Sequence, residues 1–488
     1  MTNARRKSQI LYRYVIAVLG LLIVITLLHA EEPLPNIIFI LADDLGTYEL
    51  GCYGQKKIKT PNIDRLAEQG MKFTRFYAGN NVCAPSRCCL LTGKHPGHAT
   101  IRDNKEAQPE GQEPIRADEV TLSSIMKQKG YATGAIGKWG LGMFNTPGDP
   151  LRHGFDFFYG YNCQRHAHYY YPKYLYRNAE RIELPGNDLK LGKTYSHDLL
   201  EAESLQFIRE HREKPFFLCL PYTIPHVSVQ VPENDLNEYL GKLGDDPAYD
   251  GKKGYVPHPA PHAGYAAMVS RLDRTVGKIM TLLEELHLTE NTLVIFTSDN
   301  GPTHNVGGAD STFFESAGAL RGLKGSMYEG GLRVPFIATW KGKIKAGSIC
   351  DTRWAFWDVM PTLADVANAK LPDHLDGISF LPILLGQQQT KQHEYFYWES
   401  AGYGGQQAVI AGQWKAVRIQ LKQQAGQPKL KTQLFNIDED EREAKDVATQ
   451  HPEALARLEA IMKREHIPSP LFPLPAIDPA VNAPGKKK

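Results

Sequence analysis

The sequence predicts an α/β fold: a large, mostly parallel sheet flanked by helices on both faces, then a small antiparallel sheet with one helix. Three observations predict it. Short apolar runs recur along the first 300 residues, as expected of strands buried on both faces. Helical patterns stand between those runs, and strands alternating with helices argue for parallel pairing. Near residue 390 the composition changes to short strand-like segments set close together.

The elements follow in order. The chain has 488 residues, enough for one large domain with an appendage or for two domains. Residues 1–30 stand apart: Arg5, Arg6, Lys7 and Arg13 flank the apolar "VIAVLGLLIVITLL" (15–28), and Ala30 precedes Glu31. This is the pattern of an export signal, which would make the protein periplasmic or secreted. The run is short for a membrane span. Left uncleaved it would be an anchor, the one route by which the sequence ties the protein to a membrane.

Four strands are expected in "NIIFILADD" (36–44), "YATGAIGKW" (131–139), "PFFLCLPYTIPH" (215–226) and "NTLVIFTSDNG" (291–301). Helices are expected at 60–70, with Thr60 as cap and Pro61 at the first helical position, at 121–130, which ends on a glycine, and at 265–288. Residues 31–390 therefore form the large domain. Residues 391–467 form the small one: "HEYFYWES", "QAVIAGQWKAVRIQLK" and "KTQLFNID" as strands, 452–466 as the closing helix. The Pro-rich 468–488 is expected to be extended or disordered.

Without the leader, 52 Lys and Arg face 54 Asp and Glu. A chain so nearly neutral has no field for gripping nucleic acid, and an anionic substrate must be held by local cations. Seven cysteines are too few for a disulfide framework in a chain of this length, and their odd number leaves at least one thiol over. Cys83 is the natural candidate. It stands in a loop-like context in "VCAPSRCCLLTGKHPGH" (82–98), with no metal-finger spacing around it.

The strand-like runs end in polar residues that the fold does not need: Asp43-Asp44, Lys138, the lead into His226, and Asp299-Asn300. Ligands in open α/β sheets bind beyond the carboxyl ends of the strands, so these residues can converge. Three carboxylates and an amide are hard oxygen donors, suited to Ca²⁺ or Mg²⁺ rather than zinc, and tolerance of irregular geometry favours Ca²⁺. Either Asp44 or Asp299 alone would be read as a turn cap. Oxygen ligands at two strand ends favour a metal. Arg87, Lys94, Lys138, Lys324 and His226 supply cations, and "IGKWGLG" and "RGLKGSMYEGGLRVP" are too apolar for ordinary surface lysines. A divalent ion and several cations around a cysteine imply an oxyanion site for sulfate or phosphate.

Together these residues resemble the type I formylglycine-dependent sulfatase family. "CAPSR" matches its Cys-x-Pro-Ser-Arg motif and "LLTGKHPG" the usual continuation. "LADDLG", "GKWGLG", "PYTIPH", "TSDNGP" and "GLKGSMYEGGLRVP" match further motifs in the correct order, over residues 33–470. The resemblance implies an alkaline-phosphatase-like catalytic domain. It also implies that a maturation enzyme oxidises Cys83 to formylglycine (3-oxoalanine), whose hydrate supplies one hydroxyl to attack sulfur and a second to expel sulfate. Carried over by position, Asp43, Asp44, Cys83, Asp299 and Asn300 would hold one Ca²⁺. Arg87 would steady the formylglycine. Lys138 and Lys324 would bind the sulfate oxygens, His226 would bind sulfate and protonate the leaving oxygen, and Asp299 would help deprotonate the attacking hydroxyl. The implied substrate is a sulfate monoester, foremost a sulfated carbohydrate. The alternatives are an aryl sulfate, a phosphonate or phosphate ester, or a silent binder of sulfated glycans.

One departure favours the last of these. Many family members have histidine where this chain has Gly140, and that histidine is assigned the base role in expelling sulfate. The intact "CAPSR" and metal set argue against a silent binder. Another imidazole can take the role, and "GYNCQRHAHYYYPKYLYRN" (160–178) offers His166 and His168 beside Gln164 and Arg165 in a substrate-facing loop, with His166 ahead. His304, His95 and His98 are weaker candidates.

Overall fold

A computed structural model describes Tyr12 and residues 33–108, 110–423 and 430–478. The leader read at 1–30 lies, Tyr12 aside, outside the described residues. Among the described residues no helix is long and apolar enough to cross a membrane.

The strands in chain order are β1 (Asn36–Ala42), β2 (Met71–Tyr77), β3 (Ala132–Lys138), β4 (Phe157–Tyr161), β5 (Tyr174–Arg177), β6 (Glu180–Glu183), β7 (Phe216–Pro221), β8 (Thr292–Ser298), β9 (Arg333–Thr339), β10 (Ser348–Cys350) and β11 (Trp354–Ala355). They form one sheet in the order β10-β2-β9-β8-β1-β7-β3-β4-β5-β6, with β11 also paired to β2. The centre, β8-β1-β7-β3-β4, is parallel throughout. β9 runs against both β8 and β2, and β4, β5 and β6 pair antiparallel at the edge. The expected mostly parallel sheet is thus present. Sequence reading found β1, β3, β7 and β8 because each lies in a short, mostly apolar run, and β1, β7 and β8 are buried along their whole length. It missed β2, whose "MKFTRFY" interleaves polar residues, the buried interior strand β9, and the shorter β4, β5, β6, β10 and β11.

Helices cover both faces, since successive residues of a strand point to opposite sides. Ile38 and Ile40 of β1 share a core with α1 (Pro61–Gln69), α4 (Ser196–His211) and α5 (Pro261–Glu285). On the other face α2 (Cys83–Thr92) turns Leu90 and Leu91 toward Leu41 and Cys219, close to α3 (Leu122–Gln128). Thr60 does precede α1, but its side chain does not cap the helix. Asp273 of α5 does so instead: its Oδ1 accepts from the amides of Asn62 and Ile63 at 2.9 and 2.8 Å. A carboxylate at a helix N-terminus satisfies orphan N–H groups and favours the dipole.

After α6 (Val359–Val366) the chain forms the second sheet, in the order β12 (Phe396–Ser400), β13 (Gln406–Ala411), β14 (Trp414–Ile419) and β15 (Thr432–Asn436), all antiparallel. α7 (Pro452–Glu465) packs on it, Leu458 and Met462 against Tyr397, Val409, Ala416 and Leu434. The Pro-rich segment, expected to be extended or disordered, is packed as far as it is described. Phe472 and Leu474 are buried, and Asp478 accepts from His466 Nε2 at 2.9 Å. Proline prevents regular structure there without preventing burial of the apolar residues between.

Candidate active site

Strand register brings the first ligands together. Ala42 of β1 stands opposite Ser298 of β8, so Asp43-Asp44 and Asp299-Asn300 emerge side by side just past the strand ends. All four are fully buried. The backbone amide of Asp44 donates to Asp299 Oδ1 at 3.1 Å, and Asn300 Nδ2 donates to Asp44 Oδ1 at 2.8 Å. Lys138 ends β3, two strands away, and reaches Asp43 Oδ2 at 2.6 Å. His226 follows β7. Lys324 arrives from the far side: β9 runs against its neighbours, so the segment entering β9 lies at this same edge of the sheet. Its Nζ meets Asp44 Oδ2 at 2.8 Å.

Cys83 is not in a loop but is the first residue of α2. That helix is buried on every side, so it lacks the alternation that marks a surface helix in sequence. Pro85 is tolerated because it stands in the first turn. The spacing of the motif then has a plain meaning. Cys83 and Arg87 are i and i+4, on one helix face, and both point into the pocket. Cys83 Sγ lies 3.3 Å from Lys324 Nζ and 3.5 Å from Asp43 Oδ1. Arg87 donates through Nε and Nη2 to Asp299 Oδ2 at 3.0 and 2.9 Å, and through Nη1 to the carbonyl of Lys138 at 2.5 Å. Asn104, which sequence reading missed, accepts from the Ala84 amide at 3.0 Å and so caps the helix that carries the cysteine.

The electrostatics follow from burial and crowding. Burial works against the charge of Asp43, yet Lys138, with His226, Arg87 and Lys324, holds it far below the usual carboxylate range. Burial, then Asp43, raises Asp299 to about 6 against the pull of Arg87. The Cys83 thiol is pushed up to about 12, again by burial and then by Asp43. A thiol held there is a poor source of thiolate. Burial and the charge of Lys324 keep His226 well below its ordinary value. Its Nδ1 faces the carbonyl oxygen of Val227, which only accepts, so Nδ1 carries a proton and Nε2 is turned to Asp44 Oδ2, 3.5 Å away.

The donor set fits a hard cation. Ligand atoms of Asp43, Asp44, Cys83 and His226 lie within 4.8 Å of one another. Asn300 Oδ1, buried and without a hydrogen-bond partner, adds an oxygen that the protein itself leaves unused. An oxygen-dominated group of this kind suits Ca²⁺ or Mg²⁺.

The remaining candidates divide. His168 lies on His226, ring centroids 4.4 Å apart and planes 16° apart. His166, expected to be ahead, turns the other way, between Tyr161 and Tyr174, with Nδ1 3.8 Å from Glu110. The two histidines stand two residues apart in a 3₁₀ turn, so they cannot face the same way. Arg165 is exposed and pairs with Glu106 at 3.0 Å. Lys94 pairs with Glu119, and His95 and His98 face Asp376 and Glu465, all outside the pocket. His304 is half-buried, its Nδ1 unpartnered, edge-on to Tyr403. Gln164 explains Gly140. Gly140 has φ +77°, and a Cβ there would lie 2.7 Å from Gln164 Nε2. The amide fills the space a side chain at 140 would need.

All seven cysteines are free. The sequence model named Sulfatase matches residues 35–369, and that named N-sulphoglucosamine sulphohydrolase, C-terminal, matches residues 323–466. The N-acetylgalactosamine-6-O-sulfatase of Bacteroides thetaiotaomicron is 31% identical, the alignment covering 88% of this chain and 92% of that protein. Steryl-sulfatase of Homo sapiens is 30% identical, over 74% of this chain and 72% of its own length. Among solved structures, that of Ps i-CgsB in complex with k-i-k-neocarrahexaose superposes with a TM-score of 0.74 at 29% identity, covering 89% of this chain and 93% of that one.

Proposed function

The chain belongs to the sulfatase family, and from that premise we propose that it removes sulfate from sulfated carbohydrate, using a formylglycine made from Cys83 and one Ca²⁺. As a family member it is a sulfuric ester hydrolase with an alkaline-phosphatase-like fold. The observation that carries the finer reading is the setting of Cys83. Its Sγ stands between Asp43 and Lys324, at 3.5 and 3.3 Å, where a thiol is least reactive. That placement is of no use to thiol chemistry. It suits a residue modified to act beside a cation.

Asp43, Asp44, Asp299 and Asn300 Oδ1 would hold the cation, with residue 83 beside them. When bound it would lower the charge cost of the reacting oxygens. Formylglycine would supply a hydrated aldehyde, one hydroxyl to attack and one to release. The chain's own side chains do the rest. Arg87, Lys138 and Lys324 match the three carboxylates one for one, so an added divalent ion leaves the pocket positive for an ester anion. Lys138 and Lys324 present their ammonium groups to the sulfate oxygens. Asp299, held by Arg87 and raised in pKa, is placed to take a proton from the attacking hydroxyl. His226 must gain a second proton, on Nε2, to act as acid toward the leaving oxygen. Burial opposes that gain, and an arriving anionic ester favours it.

N-acetylgalactosamine 6-sulfate heads the substrates to test, from the named activity of the Bacteroides relative, and the carrageenan-type saccharide of the structural neighbour comes next. The leader sequence supports an exported protein, periplasmic or secreted, matured by an enzyme that reads the Cys-x-Pro-Ser-Arg signal. The deciding experiment is sulfate release from a panel of position-defined sulfated saccharides, with Cys83→Ala as control. Turnover of aryl sulfates or phosphonates alone would overturn the carbohydrate reading.

A further inference from the structure

Two bulky residues beside the site hold backbone angles that favour glycine. Tyr255 has φ +66° and Tyr403 has φ +51°. Among the described residues they are the two tyrosines in the left-handed region. Such a conformation crowds Cβ against the following carbonyl and is a genuine outlier for a large side chain. Both have glycine neighbours, Gly254 on one side and Gly402, Gly404 and Gly405 on the other, so the loops already hold residues that take such angles without cost. Strain of this kind collects at ligand clamps and active sites, where the position of the side chain outweighs it.

Both rings lie beside residues of the site. The Tyr255 ring is 5.6 Å from that of His168 and 6.4 Å from that of His226. Tyr403 comes from the second sheet, in the turn between β12 and β13. Its ring lies over the backbone of Gly325, where a Cβ would sit 2.6 Å from the ring. Gly325 follows Lys324, so the ring rests beside the sulfate-binding lysine. Tyr403 also stands edge-on to His304, at 6.2 Å. It is 56% exposed although it touches the site, so packing does not account for it.

We propose that Tyr255 and Tyr403 are the specificity-determining contacts for the sugar ring, each offering an aromatic face to the apolar side of the pyranose whose sulfate lies between Lys138, Lys324 and His226. The proposal rests on the carbohydrate reading above and adds which residues read the sugar. Aromatic faces are large, stiff and cheap in entropy to order, which suits them to a ring that carries few charges. The strained backbone aims them in a direction that ordinary strand or helix angles would not reach.

The test uses the mature enzyme and three substitutions at each position: Tyr255→Phe, →Ala and →Gly, and the same at Tyr403. Readouts are KM and kcat on the best sulfated saccharide, Ki for inorganic sulfate as competitive inhibitor, and Tm. Sulfate alone occupies the lysines and the histidine, so it reports the anion pocket without the sugar. The Ala and Gly variants are expected to raise KM tenfold or more, with kcat within threefold and sulfate Ki within twofold. The Phe variants should stay within threefold of the parent in KM, and the Gly variants should keep or exceed the parental Tm, because glycine relieves the backbone. An unchanged KM in the Ala variants overturns the proposal. So does a sulfate Ki that rises with KM, or a Gly variant that melts well below the parent, since either marks the tyrosines as structural supports. A parent enzyme inert on every saccharide overturns the carbohydrate reading itself, and is seen before any variant is made.

Discussion

The imidazole of His168 lies almost parallel on that of His226, with centroids 4.4 Å apart, and so brings a second histidine to the pocket. Gly140 has no side chain to offer there. Both rings are held in the neutral form, His168 by burial first and then by His226. A neutral imidazole can accept the proton that release of sulfate requires. His168→Ala is expected to slow turnover by about 10²- to 10⁴-fold, the usual span for a lost general base. The alcohol should appear in a burst while sulfated enzyme accumulates. His166→Ala, on the far side of the turn, should stay within about twofold on a small aryl sulfate, a rate that stopped-flow and steady-state assays both read.

Cys83 should be found as formylglycine in active protein by mass spectrometry of the peptide carrying residues 82–98. Cys83→Ala should remove turnover while costing at most about 1–3 kcal/mol in stability, since only a small buried group is lost. Active preparations that contain unmodified cysteine alone would end the mechanism.

Removing the cation should lower both activity and melting temperature. The proposed ligands come from the ends of β1 and β8, more than 250 residues apart in sequence, so an ion held by them would bind the folded state alone. Saturation at one hundred times Kd is worth about 2.7 kcal/mol by mass action. Calorimetry with chelator and then with added Ca²⁺ or Mg²⁺ measures this. An unchanged melting temperature and rate in metal-free protein would exclude the ion.

Lys415 joins the two sheets. Its Nζ, fully buried, lies 2.9 Å from Glu329 Oε1 and 2.9 Å from Glu443 Oε1, and Arg333 closes on the other oxygen of Glu329 at 2.7 Å. Lys415→Met leaves Glu443 buried without a cation. Removing one partner from such a group costs about 3–5 kcal/mol. Denaturant unfolding should show that loss, and a change below about 1 kcal/mol would mean that the network relaxes.

His466 gives the molecule a pH-dependent clasp. Its Nδ1 meets Glu399 Oε2 at 2.7 Å and its Nε2 meets Asp478 Oδ1 at 2.9 Å. Burial works against its charge, yet these two carboxylates raise it above 6.5. A raised histidine adds stability that is complete below its unfolded value and fades as pH rises through the folded one. Stability should therefore decline from pH 6.5 upward more steeply in the parent than in His466→Gln, as thermal melts across that range would show.

The parts of the site that were legible in sequence are those where a polar residue interrupts an apolar strand. Asp43, Lys138 and Asp299 stand out because burial demands a reason for them. Lys324 stands out by its Gly-rich setting. The turn of His166 away from the site was not legible, because a 3₁₀ turn rotates each residue by a third of a circle and sequence carries no phase. Nor was α2, whose ten buried residues leave no polar face to mark it. Glu329 lies inside a readable motif, but its meaning depends on Lys415, 86 positions later. The packing of Phe472 and Leu474 was likewise hidden, since proline content reports backbone regularity and says little about contacts.

The burial of α2 sets a clock. Cys83, Pro85 and Arg87 are shut inside the folded chain, so an enzyme that reads those residues must meet them before the domain closes. The wall on which they close includes β8, and Asp299 follows it. At a synthesis rate of roughly 5–20 residues per second, the signal at residue 83 stays open for on the order of 10 to 40 seconds before that strand exists. If Cys83 is converted as proposed, that conversion is a race against assembly. A variant that folds faster or docks β8 earlier would carry less of the aldehyde, however sound its finished pocket.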